Sequence, residues 1–251
     1  MSVGKRIKKV LLQKILPIPV TGCDAEYSMI VSVGNEGESP PTPRLLSLAM
    51  AAIQGAQQMT LEDVRANRRY PLRELSAWPG STYRLLAGLV MAMQPRLVIE
   101  IGTAGGISAL AIKRALPANG QLVTFDVIDW RAAHQPVLEE RDFADQRLVP
   151  YVADVSQSQT FETYRPLFEQ ADVIFLDAAK DGSLEQRLLD LFASVTFQRS
   201  PILMLDDIRV WNMLKVWRDI PYPKLDLTSF GHWRGTGLVD WRDSVAADSR
   251  P

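Results

Sequence analysis

The chain has 251 residues, of which 47% are hydrophobic and 23% charged. That composition supplies the core of one sizeable α/β domain and excludes global disorder or a coiled coil. Lys and Arg number 28 against 29 Asp and Glu, a formal net charge of -1; a dedicated nucleic-acid binder would carry a strong basic field, so small molecules become the default partner. One cysteine rules out an internal disulfide and a Cys-rich zinc site, and two histidines, His134 and His232, leave little for histidine-based metal chemistry. A bound metal would rely on oxygen ligands.

The opening residues are basic and apolar, and Val20-Thr21-Gly22-Cys23 stands where a lipobox would. Gln13, Lys14, Pro17 and Pro19 interrupt the apolar run that an export signal needs, so the segment is expected to be retained, not acylated at Cys23, and the protein to be cytoplasmic. Ile7, Val10, Leu11 and Leu12 fit one face of a short basic helix, which reads as a solvated surface helix or a peripheral membrane or partner contact. No stretch is long and apolar enough for stable membrane insertion. The segment from Ser32 to Pro43, rich in Gly, Pro and Ser, reads as a linker. Residues 1–42 are therefore expected to form an extension and residues 43–251 one domain.

Helical spacing of Leu, Met and Ala marks residues 44–59 and 81–93. After Pro95 come short apolar runs at 97–101, 121–126, 147–152, 172–177 and 201–206, separated by segments long enough for one helix each. This alternation predicts an open parallel sheet buried on both faces. Residues 224–229 and 237–241, joined by a Gly-rich turn without a crossover helix, predict an antiparallel ending.

The first strand runs into Glu100-Ile101-Gly102-Thr103-Ala104-Gly105-Gly106-Ile107-Ser108, and a helix follows. Glycines let backbone approach a ligand, and a helix N-terminus offers unpaired N–H groups. Ala104 stands where the dinucleotide fingerprint needs its second glycine, which argues against NAD. Asp126 ends the second strand, where a carboxylate can accept both ribose hydroxyls of an adenosine cofactor. Asp154, after the third strand, could reach the adenine amine or simply serve a turn or helix N-cap.

The fourth strand ends in Asp177-Ala178-Ala179-Lys180-Asp181 and the fifth in Asp206-Asp207. Ligands of open α/β sheets bind at these strand ends. Converging carboxylates repel one another, and a divalent cation is the simplest reason to collect them; hard oxygen donors favour magnesium, calcium or manganese. Alternatively, Asp206 or Asp207 caps a helix beginning near Ile208, and Lys180 forms an ordinary salt bridge to Asp177 or Asp181.

These residues carry a resemblance to the class I AdoMet-dependent O-methyltransferases of the catechol and caffeoyl-CoA type. Their glycine loop, E-x-G-x-x-x-G-x-S, is matched by Glu100, Gly102, Gly106 and Ser108, and their D-x-x-K-D by Asp177, Lys180 and Asp181. The resemblance covers residues 80 to about 240. It implies a Rossmann-like, seven-stranded, mostly parallel sheet with helices on both faces and a reversed last hairpin. It implies AdoMet bound by Glu100, Gly102, Gly106, Ser108, Asp126, Asp154 and Asp177, Mg2+ (or Ca2+ or Mn2+) held by Asp177, Asp206 and Asp207, and Lys180 as base. Its pKa would then have to fall toward neutrality. The family has Asp-Asn where this chain has Asp206-Asp207, so Asp207→Asn is expected to be mild.

The implied reaction is methyl transfer to a hydroxyl of a phenolic, sugar or natural-product acceptor. The rivals are a metal-independent methyltransferase acting on RNA or protein, a nicotinamide oxidoreductase, and a catalytically silent AdoMet-binding protein. No nucleic-acid partner is expected, and a homodimer is compatible with the sequence. Trp78, Trp130, Trp211 and Trp233 fall in loops bordering the crevice, as core or as aromatic walls. His232 reads as a solvated turn residue, an acceptor contact or an auxiliary base.

Overall fold

The computed structural model describes residues 39–61, 80–134, 136–210 and 212–241. The basic amino-terminal helix, Cys23, most of the linker, Trp78 and Trp211 lie outside the described residues. Helix α1 spans Pro43–Gln58, with Thr42 as its N-cap: the Thr42 hydroxyl accepts the Leu45 N–H, and Pro43 supplies a preset φ where no helical donor is needed. Helix α2 is Thr82–Met93 and ends at Gln94 in the left-handed region. Strand β1 (Leu97–Ile101) leads into α3 (Ile107–Ala115), and β2 (Gln121–Asp126) through two short 3-10 turns into β3 (Leu148–Val152). Then α4 (Ser158–Phe168), β4 (Val173–Leu176), α5 (Ser183–Ala193), β5 (Ile202–Asp206) and α6 (Met213–Asp219) alternate, and β6 (Lys224–Asp226) and β7 (Thr236–Asp240) close the chain.

The seven strands form one sheet in the order β3-β2-β1-β4-β5-β7-β6. The first five are parallel; β7 runs antiparallel between β5 and β6, pairing Asp206 with Thr236 and Asp226 with Gly237. This is the Rossmann-like sheet with a reversed end that the sequence predicts. Its central strands β1, β4, β5 and β7 are buried at every residue. Edge strand β3 is more open and tolerates Pro150, which cannot donate to a neighbour. Strand β6 stops earlier than residues 224–229 suggest. The Asp226 carboxylate accepts the Thr228 N–H at 2.8 Å and turns the chain out of the sheet.

Alternate strand residues point to opposite faces and build two cores. Val98, Leu122, Phe175 and Met204 pack with α1, α2 and α3 on one face. Ile99, Phe125, Ile174 and Leu205 pack with α4, α5 and α6 on the other, around the rings of Phe161, Phe168 and Phe192. Both faces are covered, so every carboxyl end of the parallel strands opens at one rim. Among the described residues no helix is long and apolar enough to cross a membrane.

Candidate active site

The glycine loop is built by backbone demands. Gly102 donates its N–H to Phe125 O at 2.8 Å, and it adopts φ +105; a Cβ there would lie 1.9 Å from the carbonyl oxygen of Asp177. Gly106, at φ +88, ends the loop against Leu138 and starts α3. Ala104 is left-handed as well, at φ 43, a strain of about 1 kcal/mol. Its N–H is held by Asp126 Oδ2 at 2.8 Å, while Oδ1 accepts the Ile128 N–H at 3.0 Å. Asp126 thus ties the loop to β2 and still has lone pairs for a ligand hydroxyl.

Glu100 is fully buried and is not among the residues that line the two cavities beside the loop. It lies on the α3 face of β1, accepts the Thr124 hydroxyl at Oε2 (2.6 Å), and Thr124 in turn bonds Thr103 of the loop at 2.6 Å. Its role is to support the loop from below. Burial pushes its carboxyl up to about 7, against the opposing hydroxyls of Ser108 and Thr124.

Two cavities flank the loop. The smaller, about 290 Å³, is lined by Phe125, Asp126, Val127, Asp154, Val155 and Leu188, among others: an apolar slot with three carboxylates, the third from Asp177. Asp154 also serves the local turn, accepting the Ser156 N–H and hydroxyl and the Gln157 amide. Burial opposes its ionisation, but those bonds hold its pKa below the usual value. The larger cavity, about 580 Å³, is lined by the loop from Gly102 to Ser108, by Tyr83, Asp177, Lys180 and Asp206, and by His232, Trp233 and Arg234. Asp177 borders both cavities.

The acidic wall is more tightly paired than the sequence suggests. Lys180 Nζ lies 3.1 Å from Asp177 Oδ1 and 2.5 Å from Asp207 Oδ2, and Asp181 is not its partner. Asp181 instead accepts the Ser183 and Leu184 N–H groups at the start of α5. Asp207 is fully buried, lies outside the cavity lining and meets Arg234 Nε at 3.0 Å. Neither Asp206 nor Asp207 caps a helix near Ile208; a turn follows, and α6 begins only at Met213. Burial, then the neighbouring charge of Asp206, push Asp177 up to about 7, against the pull of Lys180.

Burial draws the Lys180 pKa down, but Asp177, Asp207 and Asp206 outweigh it and hold the ammonium above its ordinary value. The expected fall toward neutrality is therefore absent while these carboxylates keep their full charge. Backbone strain gathers here too: Ala104, Lys180 and Asp207 are three of five non-glycine residues with positive φ among the described residues.

Because β7 runs antiparallel to β5, the turn before it lies over the carboxyl end of β5 and brings three further side chains to the wall. His232 is buried, contrary to the solvated reading of a turn histidine: its Nδ1 accepts the Arg234 N–H at 3.2 Å, which assigns the proton to Nε2, 2.8 Å from Asp206 Oδ1. Trp233 is 63% exposed and lines the large cavity. Trp130 is core, 5.5 Å from the Phe143 ring.

Sequence reasoning missed Arg234 and Glu185. Glu185 left a signal, an acidic residue three positions after Gly182 at a helix start, the spacing of a capping box. Arg234 left none, since only the reversed strand brings it to the site.

A Rossmann-like sheet with a glycine loop at β1 and carboxylates at the ends of β4 and β5 defines the architecture of a class I methyltransferase. Residues 55–212 match the model of the O-methyltransferase family, and the chain belongs to that family. Among solved structures, a Staphylococcus aureus protein assigned as a caffeoyl-CoA O-methyltransferase is 15% identical, with a TM-score of 0.52 over 77% of this chain and 98% of that one. The cofactor-bound Rv0187 from MTB is 19% identical, with a TM-score of 0.51 over 94% and 96% of the two chains. A Bacillus cereus O-methyltransferase in complex with SAH is 18% identical over 78% and 91%, with a TM-score of 0.49. For the first two, at these identities, the likeness is one of fold. No curated protein sequence matches the chain.

Proposed function

We propose that this AdoMet-dependent O-methyltransferase transfers a methyl group to a hydroxyl of a small molecule with the help of a divalent cation. The observation that carries the proposal is the meeting of Asp177, Lys180 and Asp206 with the glycine loop around one cavity. The slot bounded by Phe125, Asp126 and Asp154 suits adenosine: an apolar space for the base and carboxylates for its polar edge. Methionine atoms would then lie along residues 102–108, bringing the sulfonium methyl toward Asp177 and Lys180.

The donor set fits a hard cation. Asp206, Asp207 and His232 have candidate ligand atoms within 4.8 Å of one another, and Asp177 lines the same cavity as Asp206. Asp177 and Asp206 would hold the ion, with Asp207 joining only by giving up an ion pair; His232 would orient Asp206 through its Nε2–H. A bound magnesium or manganese supplies Lewis acidity that lowers the pKa of an acceptor hydroxyl. In the transfer itself the acceptor oxygen bonds to the methyl carbon as the carbon–sulfur bond breaks, its electron pair staying on sulfur. Lys180 receives the hydroxyl proton at Nζ, which requires the charge of Asp177 and Asp207 to be offset first.

A second reading has its own observation. Lys180, Arg234 and His232 already pair with the three carboxylates, as they would in a metal-independent enzyme with Lys180 or His232 as base. The test is methyl transfer to a panel of phenols and vicinal diols, with chelator and with added magnesium or manganese. The metal-assisted reading expects loss of transfer in chelator, recovery with the cation, and AdoMet binding unchanged. Full activity in excess chelator would reject it in favour of the second reading. The cytoplasmic location, the homodimer and a peripheral role for the basic amino-terminal segment are part of the same proposal.

A further inference from the structure

The acceptor half of the large cavity carries one cation whose donors are open. Lys180 is taken up by Asp177 and Asp207. Arg234 Nε lies 3.0 Å from Asp207 Oδ1, and among the described residues its terminal amino groups make no hydrogen bond. Its backbone is fixed on both sides: the N–H donates to His232 Nδ1, and the carbonyl accepts the Arg209 N–H at 2.9 Å. A guanidinium paired at Nε, on a residue that lines the cavity, keeps its terminal amino groups for bidentate binding of a planar anion.

Beside it, Trp233 is 63% exposed and lines the same cavity. An indole so placed is a ready face for an aromatic ring. Charge points the same way. The carboxylates of Asp177, Asp206 and Asp207 exceed the cations Lys180 and Arg234 by one; a divalent cation and a sulfonium would turn that deficit into an excess of positive charge, favouring an acceptor that arrives as an anion.

We propose that Arg234 is a specificity-determining residue, binding an anionic substituent of a planar aromatic acceptor whose ring lies against Trp233. The inference rests on the reading of this cavity as a hydroxyl-acceptor site. The class of acceptor it selects is an aryl carboxylate, or an aryl ring bearing a comparable anion, with the reacting hydroxyl turned toward Asp177 and Lys180.

The test compares 3,4-dihydroxybenzoate with its methyl ester, two acceptors with the same diol and different charge, using the full chain with AdoMet and magnesium. The wild type should favour the acid at least tenfold in kcat/KM. Arg234→Gln should bring the ratio to within about twofold by raising KM for the acid more than for the ester, with AdoMet affinity measured by calorimetry as the control for an intact fold. Arg234→Lys, which keeps a charge beside Asp207, should retain part of the preference and decides the matter if the Gln variant does not fold. A wild type indifferent to the charge, or an Arg234→Gln variant that keeps the full preference, overturns the role of Arg234 while methyl transfer stands. Transfer to neither diol overturns the acceptor reading and this inference with it.

Discussion

Glu185, on the first turn of α5, accepts the backbone N–H of Lys180 at 2.6 Å through Oε1 and that of Gly182 at 2.9 Å through Oε2. Lys180 sits at φ 64, a left-handed conformation that a side chain adopts only when its surroundings impose it. The buried carboxylate of Glu185 imposes it, and so sets where Nζ stands. Glu185→Ala should lower turnover by about tenfold or more, because small displacements of a reacting group are expensive in rate. Glu185→Gln, which keeps one acceptor, should recover part of it. Equal AdoMet affinity in all three proteins, measured by calorimetry, would separate this positioning effect from general damage to the fold.

Glu100 makes stability depend on pH. Its folded-state pKa is about 7 against an ordinary 4.5, so the folded protein holds a proton that the unfolded chain has lost. The stabilisation is fully present below about 4.5 and is lost as pH rises through 7, an effect of about 3 kcal/mol between those limits. Glu100→Gln, neutral at every pH, should remove that slope. Urea unfolding at pH 5 and pH 8 measures it; an unchanged difference between the two proteins at both values would contradict the assignment.

Asp126 holds the N–H of Ala104 and lines the slot proposed for adenosine. Asp126→Ala should weaken AdoMet binding by about tenfold to a hundredfold, the equivalent of one or two hydrogen bonds to a charged group. Calorimetry without added metal tests it, and retention of wild-type affinity would move the ribose elsewhere.

Asp207→Asn recreates the Asp-Asn pair of related enzymes and looks mild from the sequence. The structure revises this. Asp207 is fully buried between Lys180 and Arg234, so neutralising it leaves two cations facing an amide. Removing one partner of a buried pair costs about 3 kcal/mol, less here because both cations reach solvent. Thermal unfolding should therefore show a clear drop in Tm, and Arg234→Gln in the same chain should reduce it. Additive losses in the double variant would deny the coupling.

Much of this was legible in the residues because two periodicities are local. Continuous apolar runs at 97–101 and 173–176 announce strands covered on both faces, and glycines at 102 and 106 announce a loop with left-handed backbone. The parts that were not legible depend on distant pairing. Nothing near Lys180 says that Asp207 rather than Asp181 will be its second partner, because that depends on β5 lying beside β4. His232 read as a solvated turn for the same reason: its burial follows from β7 inserting beside β5. Trp130, in contrast, resembles a cavity wall in the sequence and is core in the fold, since its neighbour Phe143 arrives from a later turn.

The insertion of β7 between β5 and β6 also bears on synthesis. A ribosome delivers the parallel strands first, and until residues 232–240 emerge β5 has an open outer edge, Asp206 lacks His232, and Asp207 has only one of its two cations. The nascent chain therefore completes the slot beside Asp126 and Asp154 before the wall that carries His232 and Arg234. A chain that stopped before residue 232 would leave the outer edge of β5 unpaired, a template for pairing with another chain, and Asp207 with one cation fewer.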